Sequence, residues 1–110
     1  INIKFKIEES KKIKGIKIIT PNFFKDKRGS LWSSFIHEDI KSFLPKGLNF
    51  HHDKFSVSKK NVIRGIHGDF KTWKIVTCIS GEINQVVVDL RKESETYLKY
   101  VNIKLNEKNK

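Results

Sequence analysis

Residues 73–90 read WKIVTCISGEINQVVVDL, and this stretch decides the fold. Successive side chains of residues 73–80 would point to opposite faces of a strand, and both faces are largely apolar. This pattern is typical of an inner strand that is covered on one side and lines a cavity on the other. After Gly81, residues 83–90 are rich in β-branched side chains. We therefore predict two strands joined at Gly81. Lys74 would project into the cavity or, as the alternative, snorkel to solvent at a strand end.

The rest of the chain also favours strands. Apolar residues alternate with polar ones at 3–7, a β-rich run at 16–20 is closed by Pro21, and a further run covers 97–103. Residues 37–44 space their apolar side chains as a helix does, and Pro45 stops that pattern. The pattern predicts an all-β sandwich or barrel, most simply a jelly roll, with one short helix at 37–44.

Length and composition limit the kinds of protein that fit. A chain of 110 residues suits one domain, 1–110, and its formal charge of +11 favours polyanionic partners such as a nucleotide diphosphate. Most of the lysines are expected to form a solvated basic surface. They are not interleaved with aromatic residues and do not lie on a recognition helix, so we expect no nucleic-acid partner. The single Cys78 permits no internal disulfide and predicts a reducing, cytoplasmic location. The sequence has no apolar run of membrane-spanning length, so we expect no membrane partner, and the absence of an initiator Met suggests a trimmed start.

The candidate chemistry lies in Arg64-Gly65-Ile66-His67 and the polar turn that follows it. If the turn at 68–72 closes a tight hairpin centred on residues 70 and 71, His67 and Lys74 lie opposite each other on one face, with Cβ atoms about 5 Å apart. A shift of one residue in register would separate them. Nearby cations disfavour the imidazolium form, which suits a histidine that must take a proton from carbon. Lys74 could stabilise an enolate oxygen, and the planar fork of Arg64 suits a diphosphate.

These residues belong to a longer ordered set. It comprises Phe24-x-Asp26-x-Arg28-Gly29, Ser56-x-Ser58-x-x-x-Val62-x-Arg64-Gly65-Ile66-His67, Lys74-Ile75-Val76, Gly81-Glu82, Val88-Asp89-Leu90-Arg91 and Ser94-x-Thr96. In this order, over about residues 15 to 100, the set resembles the dTDP-4-dehydrorhamnose 3,5-epimerase family of cupin sugar-nucleotide epimerases. Several motifs in the right order make the resemblance far more specific than any one of them.

The resemblance implies a function and a site. The implied activity inverts C3, C5 or both in an NDP-4-keto-6-deoxy sugar, without metal or organic cofactor, in a homodimeric cupin jelly roll. His67 falls at the general base and Lys74 at the lysine near the enolate oxygen. Arg64 falls at a substrate-binding arginine. Phe24 and Arg28 match residues that reach nucleotide or phosphate across the dimer interface.

Departures from the common pattern indicate a subgroup. The chain has His52-Asp53-Lys54 where many members have Gln-x-Asn, which makes His52 and Lys54 candidate substrate contacts. It has Gly68-Asp69 after the histidine and Asn84-Gln85 in the later strand. Together these features resemble the epimerases that act on GDP-linked 4-keto-6-deoxy-heptoses for capsular polysaccharide.

The resemblance also predicts that part of the site is missing. Family members continue beyond the last strand, where they carry a tyrosine acid and an Asp that orients the histidine. Neither Tyr97 nor Tyr100 matches that acid. We therefore expect the chain to be an N-terminal portion that lacks the C-terminal strands, or a shortened homologue.

The sequence also has to be weighed for a metal site, for a cysteine nucleophile and for other functions. The four histidines at 37, 51, 52 and 67 could suggest a metal cupin, but His51 and His52 are adjacent and point to opposite faces of a strand, so we expect no metal site. Cys78 has no nucleophile signature around it and is expected to be buried. A non-catalytic module that binds sugar nucleotides or polyanions and a 3,4-ketoisomerase remain the alternative functions.

Overall fold

The computed structural model describes residues 5–108, whose regular elements are short strands and one helical turn region. The strands are β1 (Lys6–Glu9), β2 (Lys17–Thr20), β3 (Phe24–Asp26), β4 (Gly29–Leu31), β5 (Glu82–Val88) and β6 (Tyr100–Asn106), and the helix α1 (His37–Ile40) continues as a 3₁₀ turn at Lys41–Phe43. The strands form three antiparallel pairs: β1 with β2, β3 with β4, and β5 with β6. The prediction of a strand-dominated chain with one short helix is confirmed.

The first hairpin, β1–β2, is closed by a polar loop. Glu9 accepts a hydrogen bond from the Gly15 main-chain N–H at 2.8 Å, and its carboxylate also lies 3.0 Å from the Lys17 ammonium group. The Ser10 N–H donates to the Ile16 carbonyl oxygen at 2.8 Å, which continues the ladder by one bond. Pro21 follows β2 and ends it, as predicted, because proline cannot donate to a ladder. The prediction of a strand at 3–7 is confirmed in part by β1; residues 1–4 lie outside the described residues.

The helix lies where the sequence predicts it. α1 and its 3₁₀ continuation cover 37–43, and Leu44 is already extended with ψ 153° before Pro45. Ile40 supplies the buried face with 4% of its surface exposed. Within residues 5–108, the structure contains no helix long and apolar enough to cross a bilayer.

The longest hairpin, β5–β6, pairs Glu82 with Asn106 at one end and Val88 with Tyr100 at the other. Both strands were predicted, although Tyr97 lies in the connecting turns and not in β6. The buried apolar residues come from four separate parts of the chain: Ile13, Ile40, Cys78 and Val101. They lie in the loop between β1 and β2, in the helix, at residue 78 and in β6.

The predicted strand at 73–80 is wrong for this structure. Residues 51–80, termed here the open segment, contain a turn, bends and irregular backbone but no strand of a sheet. A strand requires a hydrogen-bonded partner, and β-propensity alone does not supply one. The faces predicted to be covered are open: Trp73, Ile75, Val76 and Ile79 are exposed, and only Cys78 is buried.

Candidate functional site

Arg64 is held by a local turn in the open segment. The chain turns at Lys60 and Asn61, and Asn61 adopts a φ of 65°, a left-handed conformation that asparagine tolerates better than most residues. The turn brings Ser58 back towards Arg64, whose Nε donates a hydrogen bond to Ser58 Oγ at 2.8 Å. One edge of the guanidinium is thereby fixed, while its remaining N–H donors stay available to an anion.

Gly65 determines how the chain passes from Arg64 to His67. Its φ of 119° lies in a region that side-chain-bearing residues rarely adopt. A Cβ placed there would lie 3.6 Å from the His67 nitrogen, which is an ordinary contact, so the need for glycine is conformational and not steric. The His67 side chain is exposed and accessible to a ligand from solvent.

Asp69 builds the turn between His67 and Lys74. Its Oδ1 accepts hydrogen bonds from the main-chain N–H groups of Lys71 and Thr72 at 2.8 and 2.6 Å, and its Oδ2 accepts one from Thr72 Oγ1 at 2.6 Å. These hydrogen bonds, the one from the Thr72 side chain most of all, lower the pKa of the Asp69 carboxyl, and the positive charge of Lys74 adds a smaller effect.

The structure confirms the turn but not the hairpin predicted around it. Residues 67 and 74 flank the Asp69 turn without the main-chain ladder that would set them opposite each other. Lys74 is exposed, like His67, and its charge acts on Asp69. The backbone therefore does not hold His67 and Lys74 opposite each other, and their direct pairing stays a prediction.

Phe24 and Arg28 lie on the β3–β4 hairpin. The Asp26 carboxylate accepts hydrogen bonds from the Arg28 main-chain N–H at 2.8 Å and from its Nη2 at 2.6 Å, and the guanidinium lowers the pKa of the Asp26 carboxyl. Arg28 is 90% exposed, so the guanidinium is oriented at the turn with most of its surface open to solvent. Phe24 is half-buried and pairs across the hairpin with Leu31.

The remaining predicted contacts, His52 and Lys54, are exposed in the first part of the open segment. That segment carries six Lys or Arg residues against two Asp, so it is locally cationic and suited to an anionic ligand. Within the described chain, no hydrogen bond or ion pair joins residues 24–31 to the open segment. The structure thus places His52, Lys54, Arg64, His67 and Lys74 in one segment, with Phe24 and Arg28 on a separate hairpin.

Asp89, Arg91, Ser94 and Thr96 belong to the family motif, and the structure shows that they form one hydrogen-bonded cluster. Asp89 is the buried carboxylate at the end of β5, 4% exposed. Its oxygens accept hydrogen bonds from Arg91 Nε at 3.0 Å, Ser94 Oγ at 2.6 Å and Thr96 Oγ1 at 2.6 Å. The Arg91 guanidinium, followed by the two hydroxyls, holds the pKa of the Asp89 carboxyl far below its usual range. The spacing Asp-x-Arg-x-x-Ser-x-Thr was the signal that could have revealed this cluster.

Two further observations concern the cysteine and the possibility of a metal site. Cys78 is buried, as predicted, and its thiol lies 3.4 Å from the Ser80 carbonyl oxygen. Across residues 5–108, no three His, Cys, Asp or Glu side chains lie close enough together to share a metal ion.

Similarity to known proteins points to one family. Residues 10–110 match the family model described as dTDP-4-dehydrorhamnose 3,5-epimerase. The chain is 37% identical over 101 residues to the dTDP-4-dehydrorhamnose 3,5-epimerase of Salmonella typhimurium, covering 89% of this chain and 55% of that relative. It is 38% identical over 100 residues to the enzyme of the same name from Methanothermobacter thermautotrophicus, covering 87% of this chain and 52% of the relative.

A solved structure agrees with these relatives. The crystal structure of dTDP-4-dehydrorhamnose 3,5-epimerase from Sulfolobus tokodaii superposes with a TM-score of 0.78 at 34% identity, over 96% of this chain and 59% of that one. The chain therefore spans about half the length of the curated relatives that it matches.

Proposed function

The chain belongs to the dTDP-4-dehydrorhamnose 3,5-epimerase family, and from this premise we propose that it provides the proton-abstracting half of a sugar-nucleotide epimerase site. The substrate class is an NDP-4-keto-6-deoxy sugar, and the reaction inverts C3, C5 or both. The observation that carries the proposal is the Arg64-Gly65-x-His67 stretch, exposed and cationic, in a chain that is 37% identical to such an enzyme.

In the proposed mechanism, His67 is the base. A neutral imidazole nitrogen takes the proton from the carbon next to the C4 ketone, and the electron pair of the broken C–H bond forms an enolate with the negative charge on the ketone oxygen. The Lys74 ammonium group stabilises that oxygen electrostatically. Reprotonation of the same carbon from the opposite face completes the inversion, with no net change in oxidation state.

The other site residues bind the substrate in this proposal. Arg64, oriented by Ser58, takes the diphosphate through its free N–H donors. His52 and Lys54 contact the nucleotide sugar from the first part of the open segment. Arg28 and Phe24 reach the phosphate and the base from the hairpin, across the interface of a homodimer.

The acid that reprotonates the carbon is proposed to come from residues outside these 110. Tyr97 and Tyr100 are the two tyrosines in the chain, and they lie in the turns before β6 and at its first residue. In the same proposal, the three hairpins belong to a cupin jelly roll whose C-terminal strands are supplied by those further residues, in a cytoplasmic protein.

A second candidate substrate is a GDP-linked 4-keto-6-deoxy-heptose used for capsular polysaccharide. Three departures from the common family pattern favour it: His52-Asp53-Lys54, Gly68-Asp69 and Asn84-Gln85. Gly68-Asp69 has a structural consequence here, because the Asp69 carboxylate organises the short turn after His67. By the family pattern, the turn after His67 is shorter than in common members. A shorter turn next to the base would leave more room for a longer sugar.

The test is deuterium incorporation from D₂O into dTDP- and GDP-linked 4-keto-6-deoxy sugars, followed by NMR at C3 and C5. We expect exchange with the native chain and a loss of about 100-fold or more in His67→Asn, since general-base catalysis typically contributes that much. His51→Asn is the matched control, because His51 is also exposed and lies in the same segment.

Each other outcome has a meaning. Retained nucleotide binding without exchange in any variant would replace the epimerase by a non-catalytic binding module. Movement of the carbonyl from C4 to C3 would identify a 3,4-ketoisomerase. Preference for the GDP-linked heptose over the dTDP-linked hexose would decide the substrate.

A further inference from the structure

The chain between His67 and Lys74 is ordered by one carboxylate. Between described residues, the only hydrogen bonds made within residues 67–74 are those that Asp69 accepts. Two come from the main-chain N–H groups of Lys71 and Thr72, and one comes from the Thr72 hydroxyl. No β-ladder spans this turn, so Asp69 supplies the local constraint on the path from His67 to Lys74.

The Asp69 carboxylate is occupied by its own turn. It accepts main-chain bonds from the residues two and three positions later, as aspartate does when its side chain mimics a backbone turn. Its second oxygen lies 2.6 Å from Thr72 Oγ1. Both oxygens therefore face the turn and not a ligand, and any influence of Asp69 on the site has to pass through the residues that follow it.

That influence depends on geometry more than on charge. Asp69 and Lys74 are both exposed, and the attraction between exposed opposite charges is weak in water. Among the groups that lower the pKa of the Asp69 carboxyl, the Thr72 side-chain hydrogen bond acts most strongly and the Lys74 charge least. Asp69 therefore acts on Lys74 mainly by fixing the backbone between them.

We propose that Asp69 is a positioning residue of the epimerase site, whose turn directs Lys74 to the side of His67. The inference rests on the proposed function, in which His67 takes the proton and Lys74 stabilises the enolate oxygen. Such stabilisation is effective when the charged group is in place before the proton leaves. A displacement of about 1 Å at such a group can cost on the order of 100-fold in rate.

Substrate binding should depend much less on this turn. Arg64, which takes the diphosphate in the proposed function, is oriented by Ser58 and makes no described hydrogen bond to residues 67–74. A defect in the Asp69 turn should therefore lower the rate of proton abstraction and leave nucleotide binding intact. A general loss of structure would lower both.

The test is the kinetics of deuterium incorporation from D₂O into dTDP- and GDP-linked 4-keto-6-deoxy sugars by the 110-residue chain. Asp69→Ala removes the acceptor of every hydrogen bond in the turn. We expect kcat for exchange to fall about 10-fold or more, with KM and the Kd for the nucleoside diphosphate unchanged. Asp39→Ala, which removes an exposed carboxylate in α1, is the matched control and should alter none of these quantities.

A conservative variant separates the turn from the charge. In Asp69→Asn, Oδ1 can still accept from both main-chain N–H groups, and the amide nitrogen can donate to the Thr72 hydroxyl oxygen. We expect this variant to exchange within about threefold of the native rate, although the charge is lost. Thr72→Val, which removes the hydroxyl and keeps the main-chain bonds, should fall between the native chain and Asp69→Ala.

Two further measurements show how Asp69 acts. If it acts by placing Lys74, adding Asp69→Ala to a Lys74→Ala background should lower kcat by less than about twofold. Amide exchange followed by NMR should be faster at Lys71 and Thr72 in Asp69→Ala and close to native in Asp69→Asn. The paired amides of β5 and β6 should be unchanged in both, which shows that the fold is kept.

Contrary outcomes distinguish this inference from the proposed function. A native kcat in Asp69→Ala would overturn the positioning role. Equal losses in Asp69→Ala and Asp69→Asn would overturn it too, because charge would then decide, and so would the same loss with and without Lys74. These results would leave the proposed function standing, whereas no exchange by the native chain would overturn the proposed function and this inference with it.

Discussion

Arg91 donates a hydrogen bond from Nη2 to the Lys14 carbonyl oxygen at 2.8 Å, across 77 residues of sequence. The same guanidinium bonds the buried carboxylate of Asp89 through Nε at 3.0 Å. One side chain therefore links the turn after β5 to the loop between β1 and β2. Neither residue lies in the open segment. The contribution of this hydrogen bond can therefore be tested by measuring the stability of the folded chain.

Replacing Asp89 should weaken the last hairpin and its connection to the first loop. Asp89→Asn keeps the size of the side chain but removes the charge, and an amide nitrogen cannot accept the bonds that the carboxylate oxygen accepts from Arg91, Ser94 or Thr96. We expect a fall in melting temperature on the order of 5–10 °C. Asp39→Asn, at an exposed position in α1, is the control and should change little. Equal melting temperatures for the two variants would contradict the prediction.

The pH dependence of stability should carry the signature of Asp89. Hydrogen bonds, first from Arg91, depress the pKa of its carboxyl in the folded protein, whereas the unfolded value is about 3.9. A depressed folded pKa adds stability that is complete above pH ~4, declines below it, and is lost as the pH falls through the folded pKa.

This contribution can be isolated by comparing variants. Urea unfolding from pH 2.5 to 7 should show a steeper decline below about pH 4 for the native chain than for Asp89→Asn. Other carboxyls with lowered pKa values, such as Asp26 and Glu9, are present in both proteins and cancel in the difference. Parallel pH profiles would refute the role of Asp89.

Arg91→Lys should destabilise the protein although the charge is kept. An ammonium group is a single point, so it cannot bond the Asp89 carboxylate and the Lys14 carbonyl oxygen with the spacing of a guanidinium fork. We expect a lower melting temperature and faster amide exchange both in residues 10–16 and in residues 89–98. Lys92→Arg, at the neighbouring exposed position, should alter neither.

Gly15→Ala should cost about 1 kcal/mol or more of unfolding free energy. Gly15 adopts a φ of 102°, and a Cβ there would lie 3.6 Å from Arg91 Nη1, so the cost comes from the backbone conformation and not from a clash. Gly68→Ala is the control, because Gly68 has no such φ and a Cβ there would meet nothing within 4 Å. Denaturant unfolding measures both, and a Gly15→Ala variant as stable as the native chain would exclude strain at this position.

Ser58→Ala should weaken nucleotide binding without unfolding the chain. The lost bond from Arg64 Nε frees the guanidinium, and reordering it on binding should raise the Kd for a nucleotide diphosphate by roughly 3–10-fold. Titration calorimetry with dTDP and GDP measures this effect. Ser42→Ala, in the 3₁₀ turn, should leave the Kd unchanged; a matching loss there would point to a general effect on the fold.

Much of the local structure was predictable because it depends on near neighbours. Alternating apolar residues and β-branched runs predicted β1, β2, β5 and β6, and the run before Pro45 predicted the helix at 37–43. Asp69 and Asp26 form turns with residues two or three positions away, and such contacts follow from short spacing. The candidate site residues were predicted from the family motif, and their roles remain predictions.

By itself, the sequence determined which stretches favour strands or a helix, where proline ends β2 and the helix, and to which family the chain belongs. Only the tertiary structure decided that 73–80 is not a strand here, that Asp89 is a buried anchor, and that Arg91 reaches Lys14. The physical reason is that strand pairing, the burial of a carboxylate and the Arg91–Lys14 hydrogen bond each depend on a distant part of the chain. Side-chain periodicity expresses the tendency to pair but does not contain the partner.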